Sequence, residues 1–453
     1  MVTKMRSWKI IFPSSLYQKL NDSLFSTSAN ENGCFLMANH YEAGRYTSGL
    51  IVTKVILPDK NSLQYSDGSS IAPTSEFINK AVAEADVTGL CPIFVHTHPG
   101  ACHPPTFSFV DRKTNSRLFR NLNEILFPRP LGSIVISSKG ISGVIFFKGK
   151  SENIQQVRVV GFSLKNVQIT NINETLNALD SKFDRQIRFY GEKSQELIQH
   201  MTVSIVGLGG TGSSVAVQLA RMGVGKLILI DKDSIEETNL TRVYGSTSAD
   251  VGKPKVEVVG SHLKSFSRKT KVETLQKDVI RDNVTEKLIQ SDIIFGCTDN
   301  LSSRAILNDV SIQYYVPLID IGCIIHKLPE GKIDQMFTKI QVVTPDSACL
   351  WCTDTLDAVA IMQEALPENE RRNLELEGYR ESTDKQPSII SLTTMAASLG
   401  VNKLIQLLTV PAIDSRTLLE LVDSIFINDS PKIKQGCICQ KRRGLADLRK
   451  IIT

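Results

Sequence analysis

No apolar run in this chain approaches the ~20 residues that a bilayer-spanning helix requires. The opening stretch, MVTKMRSWKIIFPSSLY, has too short an apolar core for a secretory signal. No segment repeats another. Net charge is only +5 over 453 residues, so charge gives no reason to expect a nucleic-acid or membrane partner. A disulfide framework is also missing: the nine cysteines are odd in number and unevenly spaced, which suits a reducing compartment and metal-binding thiols. Together these absences point to a cytoplasmic globular protein, with 42% hydrophobic and 22% charged residues and enough length for two or three domains.

Two patterns divide the chain. Residues 1–165 mix short strands (35–38, 50–57, 93–98, 133–137 and 143–148) with helical stretches such as 75–85, without a βαβ rhythm. The polar segment 166–180 reads as a linker. From 181 to 453 strands alternate with helices, with strands expected at 203–206, 226–231, 271–275 and 292–297. Helices are expected at 212–222, 253–265, 282–290 and 301–313. Such alternation predicts an α/β fold with a doubly wound, mostly parallel sheet. The polar run 363–386 reads as a mobile loop or crossover, followed by an apolar helix at 389–408, a short strand and a basic tail.

The most informative stretch is VSIVGLGGTGSSVAVQLARMGVGKLILID (203–231). A strand enters the turn Gly207-x-Gly209-Gly210-x-Gly212, a helix follows, and the next strand ends at Asp231. Glycines let the backbone pass close beneath a phosphate, and the helix N-terminus offers free amides and a positive dipole end. On these residues alone a dinucleotide site of an oxidoreductase is the default. The residues that follow argue for attack on a phosphate instead: Asp233, Asn239-Leu-Thr-Arg242, Gly252-Lys-Pro-Lys255 and Cys297-Thr-Asp299-Asn300. Cations offset charge that develops on phosphate, and a strand-end carboxylate can hold Mg²⁺.

This set resembles the E1/ThiF/MoeB superfamily, which adenylates the C-terminal glycine of ubiquitin-like proteins, and the resemblance runs from about 181 to 440, including FDRQIRFYGEKSQELI at 183–198. It implies that Asp231 binds the ribose of ATP, that Asn239, Arg242 and Lys255 contact the triphosphate, and that Asp299 holds Mg²⁺. Arg185 would reach the ATP site of a second copy, implying a two-fold homodimer. Where the family usually has Arg-Gln after the Asn-Leu-x triplet, this chain has Arg242-Val243.

A second constellation lies upstream. In IFVHTHPGACHPPTFSFVD, His96 and His98 stand two apart on an expected strand, so both project from one face, and Ser108-x-x-Asp111 opens a helix. Two imidazoles, a carboxylate and an open position make a hydrolytic Zn²⁺ site, although Ser-x-x-Asp is also a common capping box. The first 150 residues or so resemble the JAMM (JAB/MPN+) metallopeptidases. That resemblance implies His96, His98 and Asp111 as zinc ligands, Ser108 as donor to the tetrahedral intermediate, and Glu31 as the proton-transferring base, with Glu42 as its competitor. Nine residues separate His98 from Ser108 where the family usually has seven, and Cys102 and His103 lie among them, with His103 read as a loop residue.

Cys349-Leu-Trp-Cys352 and Cys437-Ile-Cys439 offer four thiolates for a structural zinc site, or four buried free thiols. No cysteine lies between the pairs, where related enzymes carry a thioester-forming residue. Cys297 and Cys323 read as packing residues, so the chain is expected to stop at the acyl-adenylate. Together the resemblances imply a peptidase–adenylyltransferase fusion acting on a ubiquitin-like protein, with an E2-like protein as a further partner. Such fusions resemble components of bacterial ubiquitin-like conjugation systems, some of which act in antiphage defence. Activation of a sulfur-carrier protein, an NAD-dependent oxidoreductase and a degenerate scaffold are the alternatives.

Overall fold

The structure, a computed structural model, describes residues 6–25, 30–44, 46–66, 71–99, 101, 103, 105–161, 163–167, 180–328, 332–367, 369–371, 373 and 387–447. Two compact units share the chain. The first comprises Met1–Leu176 with Gln313–Tyr315 and Arg443–Asp447; the second comprises Asn177–Ile312, Val316–Arg442 and Leu448–Thr453.

The first unit is built on the strands β1 (Ser7–Pro13), β2 (Gly33–Glu42), β3 (Thr47–Ile56), a small β4–β5 ribbon (Leu63–Ser66 and Ile71–Pro73), β6 (Cys91–Thr97), β7 (Leu131–Ser137), β8 (Gly140–Phe147), β9 (Lys150–Val160) and β10 (Leu164–Val167). The main sheet runs β1-β3-β2-β6-β7-β8-β9-β10, and β1 also pairs with β9, so it closes on itself. Helices α1 (Ser14–Phe25), α2 (Ser75–Thr88) and α3 (Phe109–Leu126) accompany it. Alternate residues of β2 serve two cores, as period-two side-chain geometry requires. Cys34, Leu36 and Ala38 pack with Leu20 and Leu24 of α1. Phe35 and Met37 pack with Phe77 of α2 and Leu118 and Leu122 of α3.

The sequence reading missed β1, α1 and β9, and it placed the linker too early, since β10 extends to Val167. Residues 168–179 of that linker lie outside the described residues, as do 374–386 of the polar run.

The second unit contains α4 (Asp184–Tyr190), α5 (Glu192–His200), β11 (Thr202–Val206), α6 (Gly210–Met222), β12 (Lys226–Ile230), α7 (Lys255–Phe266), β13 (Lys271–Leu275), α8 (Thr285–Leu288), β14 (Ile293–Gly296) and α9 (Leu301–Tyr314). It continues with β15 (Leu318–Lys327), β16 (Ile333–Val343), α10 (Ala358–Ala365), α11 (Ile390–Thr409), β17 (Arg416–Glu420), β18 (Ile425–Asp429) and α12 (Cys439–Arg442). The sheet order is β13-β12-β11-β14-β15-β16-β17-β18, parallel up to β15 and antiparallel beyond it. The doubly wound expectation therefore holds for five strands, and a four-stranded antiparallel extension starting at β15 was not foreseen.

Two details correct the sequence reading. The helix expected over 282–290 is a single turn, Thr285–Leu288, and the one expected C-terminal strand is a β17–β18 hairpin. Part of the polar run is ordered, because α10 extends to Ala365 behind an Asp357 cap whose carboxylate accepts from the Ala360 amide. No helix among the described residues is long and apolar enough to cross a membrane.

Candidate functional sites

Register builds the site of the first unit. Antiparallel pairing sets Gly33 opposite His96, and the ladder continues as Thr97 N donates to Asn32 O (2.9 Å) and Asn32 N donates to Thr97 Oγ1 (2.9 Å). Glu31 thereby falls beside His98. Strand β6 ends at Thr97, so His98 is not a strand residue as expected, and β2 begins two residues after Glu31. The ring centroids of His96 and His98 are nevertheless 5.2 Å apart.

Asp111 arrives from the N-terminus of α3. Ser108 Oγ accepts from Asp111 N (3.1 Å) and Asp111 Oδ2 accepts from Ser108 N (2.6 Å), a reciprocal capping box that aims the carboxylate. Asp111 Oδ1 lies 3.2 Å from His96 Nε2, Asp111 Oδ2 lies 3.5 Å from His98 Nε2, and Glu31 Oε1 lies 3.4 Å from that same nitrogen. Glu31, His96 and Asp111 are buried, and His98 is partly exposed. Burial alone would raise the Asp111 carboxyl, but hydrogen bonds from His96 and His98 outweigh it and hold it far below the usual carboxylate range. The bond to Asp111 raises His98 against the opposing effect of burial.

These spacings suit a shared cation. Ligand atoms about 2.1 Å from a tetrahedral ion lie about 3.4 Å from one another. Glu42, the competitor for Glu31, sits at the far end of β2 and is paired with Arg6. His103 is exposed, and Cys102 lies outside the described residues.

In the second unit the backbone does most of the construction. Val206 pairs with Ile230 on one side and with Gly296 on the other, so the chain leaves β11, β12 and β14 at one level. Gly207, Asp231 and Cys297 are the next residues on these three strands, at the point where the strand order reverses, which is where ligands bind in open α/β sheets. Gly207 has φ +87°, and a Cβ on Gly212 would stand 1.8 Å from Gly207 O, so neither position admits another residue in this conformation. A Cβ on Gly210 would meet Thr393 Oγ1 of α11 at 2.8 Å, whereas Gly209 faces open space.

Asp231 Oδ2 accepts from Leu208 N (2.5 Å) and Oδ1 from Asp233 N (2.8 Å), so this carboxylate already braces the turn that follows β11. Burial raises its pKa, opposed by the charge of Lys255. Lys255 Nζ is 3.0 Å from Asp233 Oδ2. Asn239 is buried and its Oδ1 accepts from Glu236 N (3.2 Å), a cap within its own loop that uses the side-chain oxygen. Arg242 is partly exposed with Nη1 donating to Thr238 O (2.6 Å), and Asp299 and Arg185 are exposed.

The loop carrying Asp299 is held by residues that no local signal revealed. Arg304 donates to Thr298 O (3.3 and 3.2 Å). Asn300 Oδ1 accepts from Ser303 N (2.8 Å), and Glu364 of α10 accepts from the amides of Leu301 and Ser302 (both 2.9 Å). A carboxylate from 62 residues away thus caps α9.

The four cysteines meet. Sγ–Sγ distances are 3.7 Å for Cys349–Cys352, 3.8 Å for Cys349–Cys437 and 3.6 Å for Cys352–Cys439. Sulfurs about 2.3 Å from a tetrahedral zinc lie about 3.8 Å apart, so the donors fit that ion. Burial pushes the Cys437 thiol up to about 11, and hydrogen bonding with Cys439, together with burial, raises Cys349. A bound cation would reverse both shifts by holding thiolates. Burial also raises the thiols of Cys297 and Cys323, which are therefore poor nucleophiles as they stand.

The profile described as the ThiF family matches residues 183–435, more than half of the chain. Among curated proteins, the adenylyltransferase and sulfurtransferase MOCS3 of Aedes aegypti is 32% identical over 37% of this chain and 38% of its own length. The SAMP-activating enzyme E1 of Haloferax volcanii is 30% identical over 36% of this chain and 56% of its own. The sulfur carrier protein ThiS adenylyltransferase of Bacillus subtilis is 30% identical over 40% and 52%. The chain thus spans between about two fifths and just over half of these relatives. Among solved structures, E. coli MccB bound to ATP aligns over 58% of this chain and 74% of its own at 22% identity and a TM-score of 0.45.

Proposed function

This chain belongs to the ThiF family, and from that premise we propose that its second unit adenylates the C-terminal carboxylate of a ubiquitin-like or sulfur-carrier protein. One observation carries the reading: the shared register that delivers the glycine turn, Asp231 and the Asp299 loop to one edge of the sheet. The turn's amides would receive phosphates, Asp231 the ribose, and Asn239, Arg242 and Lys255 the triphosphate. Of these, Asn239 would offer its amide nitrogen, its Oδ1 being used to cap its own loop. Asp299 would hold Mg²⁺, which supplies charge neutralisation on the departing pyrophosphate.

In the reaction a carboxylate oxygen attacks the α-phosphorus. The bond from that phosphorus to the bridging oxygen breaks, and pyrophosphate leaves with the electron pair. Arg185 would reach the site of a second copy in a homodimer. The Cys349, Cys352, Cys437 and Cys439 set would hold a structural zinc, pinning the segment that carries Cys437 to the one that carries Cys349. The raised thiols at Cys297 and Cys323 favour a product that stays an acyl-adenylate.

For the first unit we propose a JAMM-like zinc peptidase acting on the same protein, trimming its precursor or releasing it from conjugates. His96, His98 and Asp111 would hold the ion, which supplies a Lewis acid for the scissile carbonyl and the attacking water. Glu31, buried beside His98, would take the proton from that water and deliver it to the leaving amine. Ser108 would support the tetrahedral oxygen while its cap keeps Asp111 aimed.

Conjugation, with an E2-like acceptor, accounts for a peptidase and an adenylyltransferase in one chain. The second reading, sulfur-carrier activation, is favoured by the similarity to the ThiS adenylyltransferase, and a cysteine desulfurase or rhodanese encoded nearby would favour it further. ATP–pyrophosphate exchange with the ubiquitin-like protein encoded beside this chain tests the main reading. Exchange that requires that protein and vanishes in Asp299→Ala is expected. Exchange unchanged in the mutant removes Asp299 from the mechanism, and none in wild type sinks the reading.

A further inference from the structure

A cavity of about 620 Å³ opens in the first unit between α3 and strands β8 and β9, and none of the roles above uses it. Its volume lies within the range of ligand sites. Phe119 and Phe146 make the floor, their rings stacked with centroids 5.8 Å apart, and Val144 lies beside them. Two buried polar side chains face this apolar floor. Ser142 is 2% exposed and its Oγ has no hydrogen-bond partner among the described residues; Asn115 is 7% exposed. Such groups are costly to bury unless something pairs with them.

The rim is basic. Arg112 and Arg120 both line the opening and neither forms a salt bridge among the described residues; Arg112 Nε donates to Phe107 O (3.2 Å). Glu124 is the one acid on the lining. Phe107 also joins the cavity to the candidate metal site: it precedes the Ser108 cap and its ring lies 6.2 Å from that of His96.

We propose that this cavity binds an extended acidic peptide segment next to the His96–His98–Asp111 site. The amide of Asn115 both donates and accepts, as main-chain recognition needs, and Ser142 adds a second main-chain contact. A branched apolar side chain of the peptide rests on Phe119 and Phe146. Flanking carboxylates meet Arg112 and Arg120, which suit planar bidentate pairing. The ligand class follows from the cavity itself, whereas its role in feeding a peptide to the metal site rests on the peptidase reading above.

The test uses the full chain carrying Glu31→Gln, so that binding is measured without turnover. Equilibrium dialysis is run against an equimolar pool of blocked hexapeptides, each with two acidic residues and one leucine, and against the matching pool with lysine for each acid. Acidic peptides retained about tenfold over basic ones are expected, with retention falling about tenfold in Arg120→Glu. Ser116→Trp, at an exposed position on the lining, fills the opening without touching the core and abolishes retention at an unchanged melting temperature. Retention of neither pool, or equal retention of both, overturns the proposal, as does retention unaffected by Ser116→Trp. Retention of the acidic pool by a chain that, with Glu31 intact, cleaves nothing sinks the peptidase reading alone.

Discussion

The two candidate sites are constructed from different material. In the first unit four side chains converge until imidazole and carboxylate atoms stand 3.2–3.5 Å apart. In the second, the main chain shapes the cradle through Gly207 and Gly212, while Arg242 is partly exposed and Asp299 and Arg185 are exposed. A small ion such as Zn²⁺ needs preset donors at fixed separations, whereas a long flexible nucleotide can be met by exposed cations once its phosphates sit on a rigid turn. Side-chain truncation should therefore be most damaging in one unit, and backbone crowding in the other.

The largest effect expected on this view is at Glu31. Glu31→Gln should lower peptide cleavage by about 10³-fold, in keeping with general acid–base contributions, while zinc content measured by atomic absorption stays the same. Glu42→Gln should leave cleavage intact; the reverse outcome would reassign the base. Next is Gly212→Ala, whose methyl has nowhere to go. It should abolish nucleotide-dependent exchange and cost about 3 kcal/mol of stability in denaturant titrations, the upper range for overpacking. If Gly212→Ala binds ATP normally, the main chain is not what builds this cradle.

Asp299→Ala is expected to be milder on the fold. Exchange should fall at least about 10²-fold without a shift in the melting temperature, because the residue is exposed and its hydrogen bond from Asn300 Nδ2 is long, at 3.5 Å. Glu364→Gln, which weakens the α9 cap, should give a smaller loss of exchange together with a raised Mg²⁺ requirement. An equal loss at saturating Mg²⁺ would show that Glu364 does not act through the Asp299 loop.

The smallest effect concerns pH. His40 stacks on Trp8 and meets Phe147 edge-on in the first unit, and burial lowers its pKa to about 4. The unfolded chain therefore binds this proton between about pH 6.5 and pH 4 while the folded one does not. Its contribution is fully present above that window and is lost as pH falls through it. His40→Phe should flatten the acid-side decline in the stability of this unit, read by tryptophan fluorescence at Trp8. A decline of unchanged slope would assign it to other groups.

Much of this was legible in the sequence because the relevant signals are local. His-x-His with Ser-x-x-Asp, and the glycine turn with its strand-end aspartates, each lie within a few residues, and periodicity located β11, α6, β12 and β14 to within two residues. What escaped depends on partners far along the chain. Strand β1 runs Ile10-Ile11-Phe12 without a polar residue, because both faces are buried there, which hides the period-two pattern. The β1–β9 pairing joins residues almost 150 apart, and nothing in either strand announces it. Glu364 sits in a polar run and looks like solvent-facing charge, although it caps a helix. Asn239 also has a role that its motif did not announce: its Oδ1 caps its own loop.

The meeting of Cys349 and Cys352 with Cys437 and Cys439 has a consequence for the order of assembly. Cys349 and Cys437 are 88 residues apart, and between them lie α10, α11, β17 and β18. Closing so long a loop costs only a little more entropy than closing a short one, but it must wait until the later pair has been synthesised. During translation the sheet can therefore be laid down strand by strand while its clasp stays open. A ribosome that stalls before Cys437 leaves Cys349 and Cys352 without the two thiols that they meet in the finished chain, a chemical mark by which the one differs from the other.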